Sequence, residues 1–132
     1  MSYIIAAVLM VFGIPSTENR PKHCVEYHFV LDRLGFSSKD KQMAHRVMFK
    51  ESRCNPLVTN TTDPHGGSLG LFQINRFWCL PNRYSANGWL QSQGIIDQCE
   101  DLYNPIVNIR AMKAIWDYSE NANGNGWQPW GM

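Results

Sequence analysis

Glu51-Ser52-Arg53-Cys54-Asn55-Pro56 closes a helical pattern, and Gly67-Ser68-Leu69-Gly70-Leu71-Phe72-Gln73-Ile74-Asn75 follows it after a polar loop. The residue before a proline avoids the α region, so Asn55-Pro56 predicts a helix that runs only to about Ser52. Ser37 or Ser38 supplies its N-cap, and Asp40 puts a negative charge in the first turn, where the helix dipole favours one. Between these ends Ala44, Val47, Met48 and Glu51 follow the i, i+3, i+4, i+7 spacing of one apolar face. Glu51 therefore stands in line with a buried stripe. Burial disfavours the charged form of a carboxyl, which predicts a raised pKa. An acid that keeps its proton near neutrality is equipped as a general acid. The competing reading is a Glu solvated at the helix edge, or paired with Arg53 or Lys50, and for Glu51 by itself that reading wins, because helix ends often carry Glu.

The flanking sequence gives the architecture. Cys24 to Leu34 has a helical pattern with Tyr27, Val30, Leu31 and Leu34 on one face, closed by Gly35. Leu57 to Ser68, rich in Thr, Asn, Asp, Pro and Gly, reads as loops and short strand pieces. Leu71 to Asn75 alternates, which fits a short strand or the start of a helix. Pro81 to Gln93 is polar. Asn104 as N-cap with Pro105 at the first helical position starts a further helix, with Ile109, Met112 and Trp116 at core spacing. Glu120 to Gly126 reads as a loop before an aromatic tail containing Trp127 and Trp130. The expected class is mainly α, of α+β type: a helical lobe plus a small β or loop lobe.

The chain has 132 residues, 44% of them apolar, 17% charged and 12% aromatic. That length fits one domain with one core. Twelve Lys and Arg against eleven Asp and Glu leave a net charge of +1. A nucleic-acid binder needs a basic stripe, so nucleic acid is not an expected partner. Met1 to Thr17 carries no charged side chain, and Tyr3 to Ile14 is almost wholly apolar. The run is short of the ~20 residues of a spanning helix. It fits a secretory signal or a weak anchor with transient membrane contact, although no Lys or Arg precedes it and no A-x-A site follows. Residues 1–22 are thus expected to be leader and linker, and residues 23–132 the folded domain. Four cysteines, Cys24, Cys54, Cys79 and Cys99, allow three pairings in an oxidising compartment. No CxxC occurs, and His23, His28, His45 and His65 are scattered, so neither a metal nor a cofactor is expected. Nothing demands more than a monomer.

The two quoted stretches together resemble the lysozyme-like superfamily, which includes bacterial and phage lytic transglycosylases and animal lysozymes. Glu51-Ser52 with Asn55-Pro56 close behind, then Gly70-Leu71-Phe72-Gln73-Ile74, are similar to the transglycosylase signature. Phe77-Trp78-Cys79, Asn104-Pro105 with Asn108-Ile109, and Trp127-Gln128-Pro129-Trp130 follow in the family's order. Collinearity from about His23 to Trp130 is more specific than any one motif. The resemblance implies a glycan cleft between the two lobes and cleavage of the β-1,4 bond between N-acetylmuramic acid and N-acetylglucosamine in peptidoglycan. It makes Glu51 the general acid and places Trp127 beside it to keep its carboxyl dry. Ser52 would orient the acid or touch sugar, Gln73 and Asn75 would hydrogen-bond N-acetyl sugars, and Phe77 and Trp78 would stack on sugar faces. Gly67 is read as a turn and Gly70 as a close backbone approach to substrate. It also implies the bridge Cys79–Cys99, leaving Cys24 with Cys54.

One position departs from the animal enzymes. Their nucleophilic Asp, two residues before the Gly of the Gly-x-x-Gln element, is Ser68 here. Asp63 in the preceding loop is the nearest substitute, which keeps hydrolysis open, with a water held by Asp63 or His65. Single-carboxyl chemistry needs only Glu51, and the resemblance implies it as the 1,6-anhydro-forming reaction of lytic transglycosylases. Export follows, as a small bacterial enzyme or a phage endolysin. The alternative is an inactive glycan-binding module, of peptidoglycan or chitin type, on the same scaffold.

Overall fold

The computed structural model describes residues 23–132, and the expected leader and linker over 1–22 lie outside the described residues. The first expected helix is broken. A 3-10 turn, Val25–Tyr27, leads into a short helix α1, His28–Asp32. Cys24 enters in a left-handed conformation and Tyr27 sits at φ −109°, so the two turns do not share one axis. The helix α2, Ser38–Ser52, matches its prediction. The Ser37 hydroxyl accepts from the Asp40 backbone N–H at 3.1 Å, and Ala44, Val47 and Met48 are fully buried. Two left-handed residues, Arg53 and Cys54, stop it before Asn55-Pro56 is reached.

Three two-residue strands follow: β1 Thr59–Asn60, β2 Ser68–Leu69 and β3 Ile74–Asn75, paired antiparallel in the order β1-β2-β3. Thr59 pairs with Leu69, and Leu69 with Ile74. The alternation expected from Leu71 to Asn75 does not hold, because Leu71, Phe72, Gln73 and Ile74 are all buried. Gly70 and Gln73 both have positive φ, at 77° and 48°, so this stretch is a tight turn pushed into the core rather than a strand with two faces. The short helix α3, Trp89–Ser92, lies within the polar segment, and α4, Pro105–Asn123, fills the centre. Asn104 caps α4 by accepting from the Ile106 and Val107 N–H groups. This helix continues to Asn123 and ends on left-handed Gly124, so the loop expected over 120–126 begins later.

Ile109 and Met112 are buried as expected, Trp116 is half-buried, and Ile115 takes a core position instead. Leu31, Met48, Leu69, Phe72, Ile74 and Leu102 join them in one core. Disulfides join Cys24 to Cys54 and Cys79 to Cys99. The result is the mainly α, α+β arrangement expected, with a three-stranded sheet beside the helices. No described helix is long and apolar enough to cross a membrane.

Candidate active site

Glu51 lies in the last turn of α2 and is half-buried. Among the described residues its carboxylate takes no hydrogen bond and no ion pair. Its pKa is raised, first by burial, with the neighbouring Lys50 opposing and the negative charge of Asp63 adding to the rise. The chain reaches Asp63 because α2 ends in the left-handed pair Arg53 and Cys54, and Cys54 is bonded to Cys24. The backbone then crosses β1 and turns at Asp63, which precedes the 3-10 turn Pro64–Gly66. Asp63 is half-buried, and its Oδ1 accepts from Asn60 Nδ2 at 3.2 Å.

Several side chains expected at the substrate are committed to the fold instead. Ser52 is buried and its hydroxyl donates to the Met48 carbonyl one turn back, at 3.1 Å. Gln73 uses its amide N–H groups on the carbonyls of Val58, 3.1 Å, and Gly70, 3.0 Å. It pins the turn that its own positive φ creates. Asn75 donates to the Pro64 carbonyl at 2.8 Å and to Ser68 Oγ at 3.2 Å, while its Oδ1 accepts from the Phe77 N–H at 2.9 Å. Ser68 is buried and serves as that acceptor. Gly70 makes a close approach, though not to an open groove: a Cβ there would collide with the Asn108 side chain and the Leu102 carbonyl.

Trp127 does not stand beside Glu51. Its indole Nε1 donates to Asp40 Oδ1 at 3.0 Å, in the first turn of α2. The helix from Asp40 to Glu51 is about 16 Å long at 1.5 Å per residue. Trp127 is buried against Phe36, Trp116 and Trp130. The other tail tryptophan, Trp130, reaches the Gly-x-x-Gln turn, donating to the Phe72 carbonyl at 2.8 Å.

Phe77 and Trp78 sit on the 3-10 turn Arg76–Trp78 that Asn75 caps, and both are half-buried. They line a pocket of about 310 Å³ with Asn82, Tyr84, Ser85, Trp89 and Tyr118. The rings of Trp78 and Trp89 lie 5.1 Å apart, and that of Tyr118 lies 5.6 Å from Trp89, all edge-on. Such a wall of aromatic rings is largely apolar. Trp89, Tyr84 and Tyr118 escaped the sequence reading. No sequence pattern marks them: Trp89 is half-buried, and the exposure of Tyr84 and Tyr118 emerges only in the folded chain. The Cys79–Cys99 bridge and the bond from Gln91 Nε2 to the Cys79 carbonyl, 2.7 Å, hold α3 against this turn. Among the described residues no group of three or more His, Cys, Asp or Glu side chains could hold a metal ion.

The arrangement thus offers a protonatable carboxyl, a second carboxylate close enough to be felt by it, and an aromatic pocket reached through Phe77. In comparison with known proteins, the family model described as "Lysozyme like domain" matches residues 30–132. No curated protein and no solved structure matches the chain.

Proposed function

We propose a function on one premise: the chain belongs to the lysozyme-like domain family. The family acts on the glycan of peptidoglycan, and for this chain the reading is cleavage of the β-1,4 bond between N-acetylmuramic acid and N-acetylglucosamine. The observation that carries it is Glu51, a half-buried carboxyl with no partner among the described residues and a raised pKa at the end of a core helix. A structural Glu in that position would be paired or solvated. A general acid needs to be neither.

Glu51 in its protonated form donates to the glycosidic oxygen. The C1–O bond breaks as the ring oxygen takes up positive charge. Glu51, now a carboxylate, accepts the proton of the same sugar's C6 hydroxyl, and O6 closes on C1. The acid is restored and the product carries a 1,6-anhydro ring. Ser68 at the position of the animal nucleophile favours this route, because its hydroxyl is buried and spent on Asn75. A second reading, hydrolysis, rests on Asp63, whose carboxylate is placed to be felt by Glu51 and would hold an attacking water. In either route Phe77, Trp78, Trp89 and Tyr118 take the apolar faces of the strand. The disulfides fit an extracellular or periplasmic place of action, as of an exported bacterial enzyme or a phage endolysin.

Purified protein is expected to clear a peptidoglycan suspension and Glu51→Gln to abolish clearing; equal clearing by both variants contradicts the assignment. Mass spectrometry of the fragments separates the routes, since anhydro ends mean transfer and reducing ends mean hydrolysis.

A further inference from the structure

The backbone from His65 through Gly67 runs at φ 62°, 93° and 110°. Glycine adopts such angles freely, and Gly66 and Gly67 need no explanation. His65 is the only one of the three with a Cβ, and the left-handed region is uncommon for such a residue even though His enters it more readily than most. The loop is fastened without its imidazole. The Pro64 carbonyl accepts from Asn75 Nδ2 at 2.8 Å and from the Gly67 N–H at 3.2 Å, and the Gly67 carbonyl accepts from the Arg76 N–H at 2.9 Å. Asn60 holds Asp63 on the other side. The His65 side chain adds no hydrogen bond to this set, yet it is exposed at a fixed place, its ring 5.3 Å from that of Phe77 and tilted by 56°. Phe77 continues to Trp78 at 5.5 Å and from there into the aromatic pocket. On the other side, Asp63 acts on Glu51. His65 thus follows Asp63 by two residues in the chain and packs against Phe77 at the aromatic end. A left-handed backbone held at an exposed side chain that adds no hydrogen bond to the fold points to a use outside the fold.

We propose that His65 is a substrate-contact residue: seated against Phe77, its imidazole forms the wall that receives the sugar between the reacting bond and the aromatic pocket, and donates a ring N–H to a hydroxyl or N-acetyl oxygen. This inference rests on the glycan reading above and names a residue by which that reading selects its strand.

The test exploits two effects of opposite sign. His65→Gly relieves the backbone and removes the ring. It is expected to leave the melting temperature unchanged or higher, while weakening binding of the β-1,4 N-acetylglucosamine tetramer by roughly tenfold, the equivalent of about 1.4 kcal/mol. Binding is measured by titration calorimetry in a Glu51→Gln background, where no turnover occurs. His65→Asn, which tolerates the left-handed backbone and keeps a donor, is expected to bind between the two. A lower melting temperature for His65→Gly overturns the proposal, because the side chain then serves the fold. Equal affinities of the single Glu51→Gln and the double variant overturn it while leaving the glycan reading intact. No binding by Glu51→Gln alone removes the glycan reading and this inference with it.

Discussion

Replacing Asn108 with alanine tests how the candidate site is held. Asn108 is fully buried on α4 and its amide is the junction of three segments. Nδ2 donates to the Leu69 carbonyl at 3.0 Å and to the Leu102 carbonyl at 2.9 Å, and Oδ1 accepts from the Phe72 N–H at 2.9 Å. Only Gly70 lets the turn come this close. Each such bond contributes a net ~0.5–1.5 kcal/mol, and a buried group left without a partner costs ~1–3 kcal/mol. Alanine removes all three bonds and takes the Asn108 amide from one N–H and two carbonyls. The expected loss is about 3–4 kcal/mol. At ~4 °C per kcal/mol for a domain of this size, the melting temperature should fall by roughly 12–16 °C. Differential scanning calorimetry and urea unfolding at pH 7 give the two numbers, and an unchanged m-value keeps the comparison two-state. A loss below about 1 kcal/mol refutes the reasoning, since it would mean that the carbonyls find other partners or were never paired with this amide.

Glu51→Gln should stabilise the fold at pH 7. The folded state holds the proton more tightly than the unfolded state, so native Glu51 costs stability as pH rises from the ordinary Glu range through its raised value; the melting-temperature gain should vanish below that range. Cys79→Ser with Cys99→Ser opens a bridge spanning 20 residues and is expected to cost about 3 kcal/mol in chain entropy, read by calorimetry, with a larger relative loss of tetramer binding because α3 carries Trp89. Asp63→Asn should lower the Glu51 titration midpoint, since the added carboxylate charge is one cause of its rise; clearing should largely survive under the transfer route and fall as far as in Glu51→Gln under hydrolysis.

The helices were legible because their signals are local. Ser37, Asp40 and the Ala44-Val47-Met48 stripe specify α2, and Asn104-Pro105 starts α4. Glu51 was legible for the same reason: a carboxyl in line with an apolar stripe needs no tertiary information to look misplaced. Gln73 and Asn75 were expected at the sugar because an amide among apolar neighbours looks the same in sequence whether its partner is a sugar or a backbone carbonyl; the structure pairs both with backbone carbonyls. The deciding fact is the positive φ of Gln73, which brings Val58 and Gly70 within reach. Gly70 needed its partner Asn108, which lies in another helix. The two tail tryptophans share a segment, and their spacing does not say which end of α2 each meets; the structure gives Asp40 to Trp127 and the Gly-x-x-Gln turn to Trp130. Trp89 and Tyr118 come together only when α3 and α4 are packed, so their pocket has no linear signature.

The carboxyl at position 51 is proposed to hold a proton under conditions where an ordinary Glu has lost it, and to deliver that proton to the glycosidic bond. Carbon-13 NMR titration of the Glu51 carboxyl, set beside the pH profile of peptidoglycan cleavage, tests both halves together. The expected result is a midpoint above the ordinary Glu value and a basic limb of the cleavage profile that falls with the same midpoint. A midpoint at or below the ordinary value, or cleavage whose basic limb ignores that titration, contradicts it.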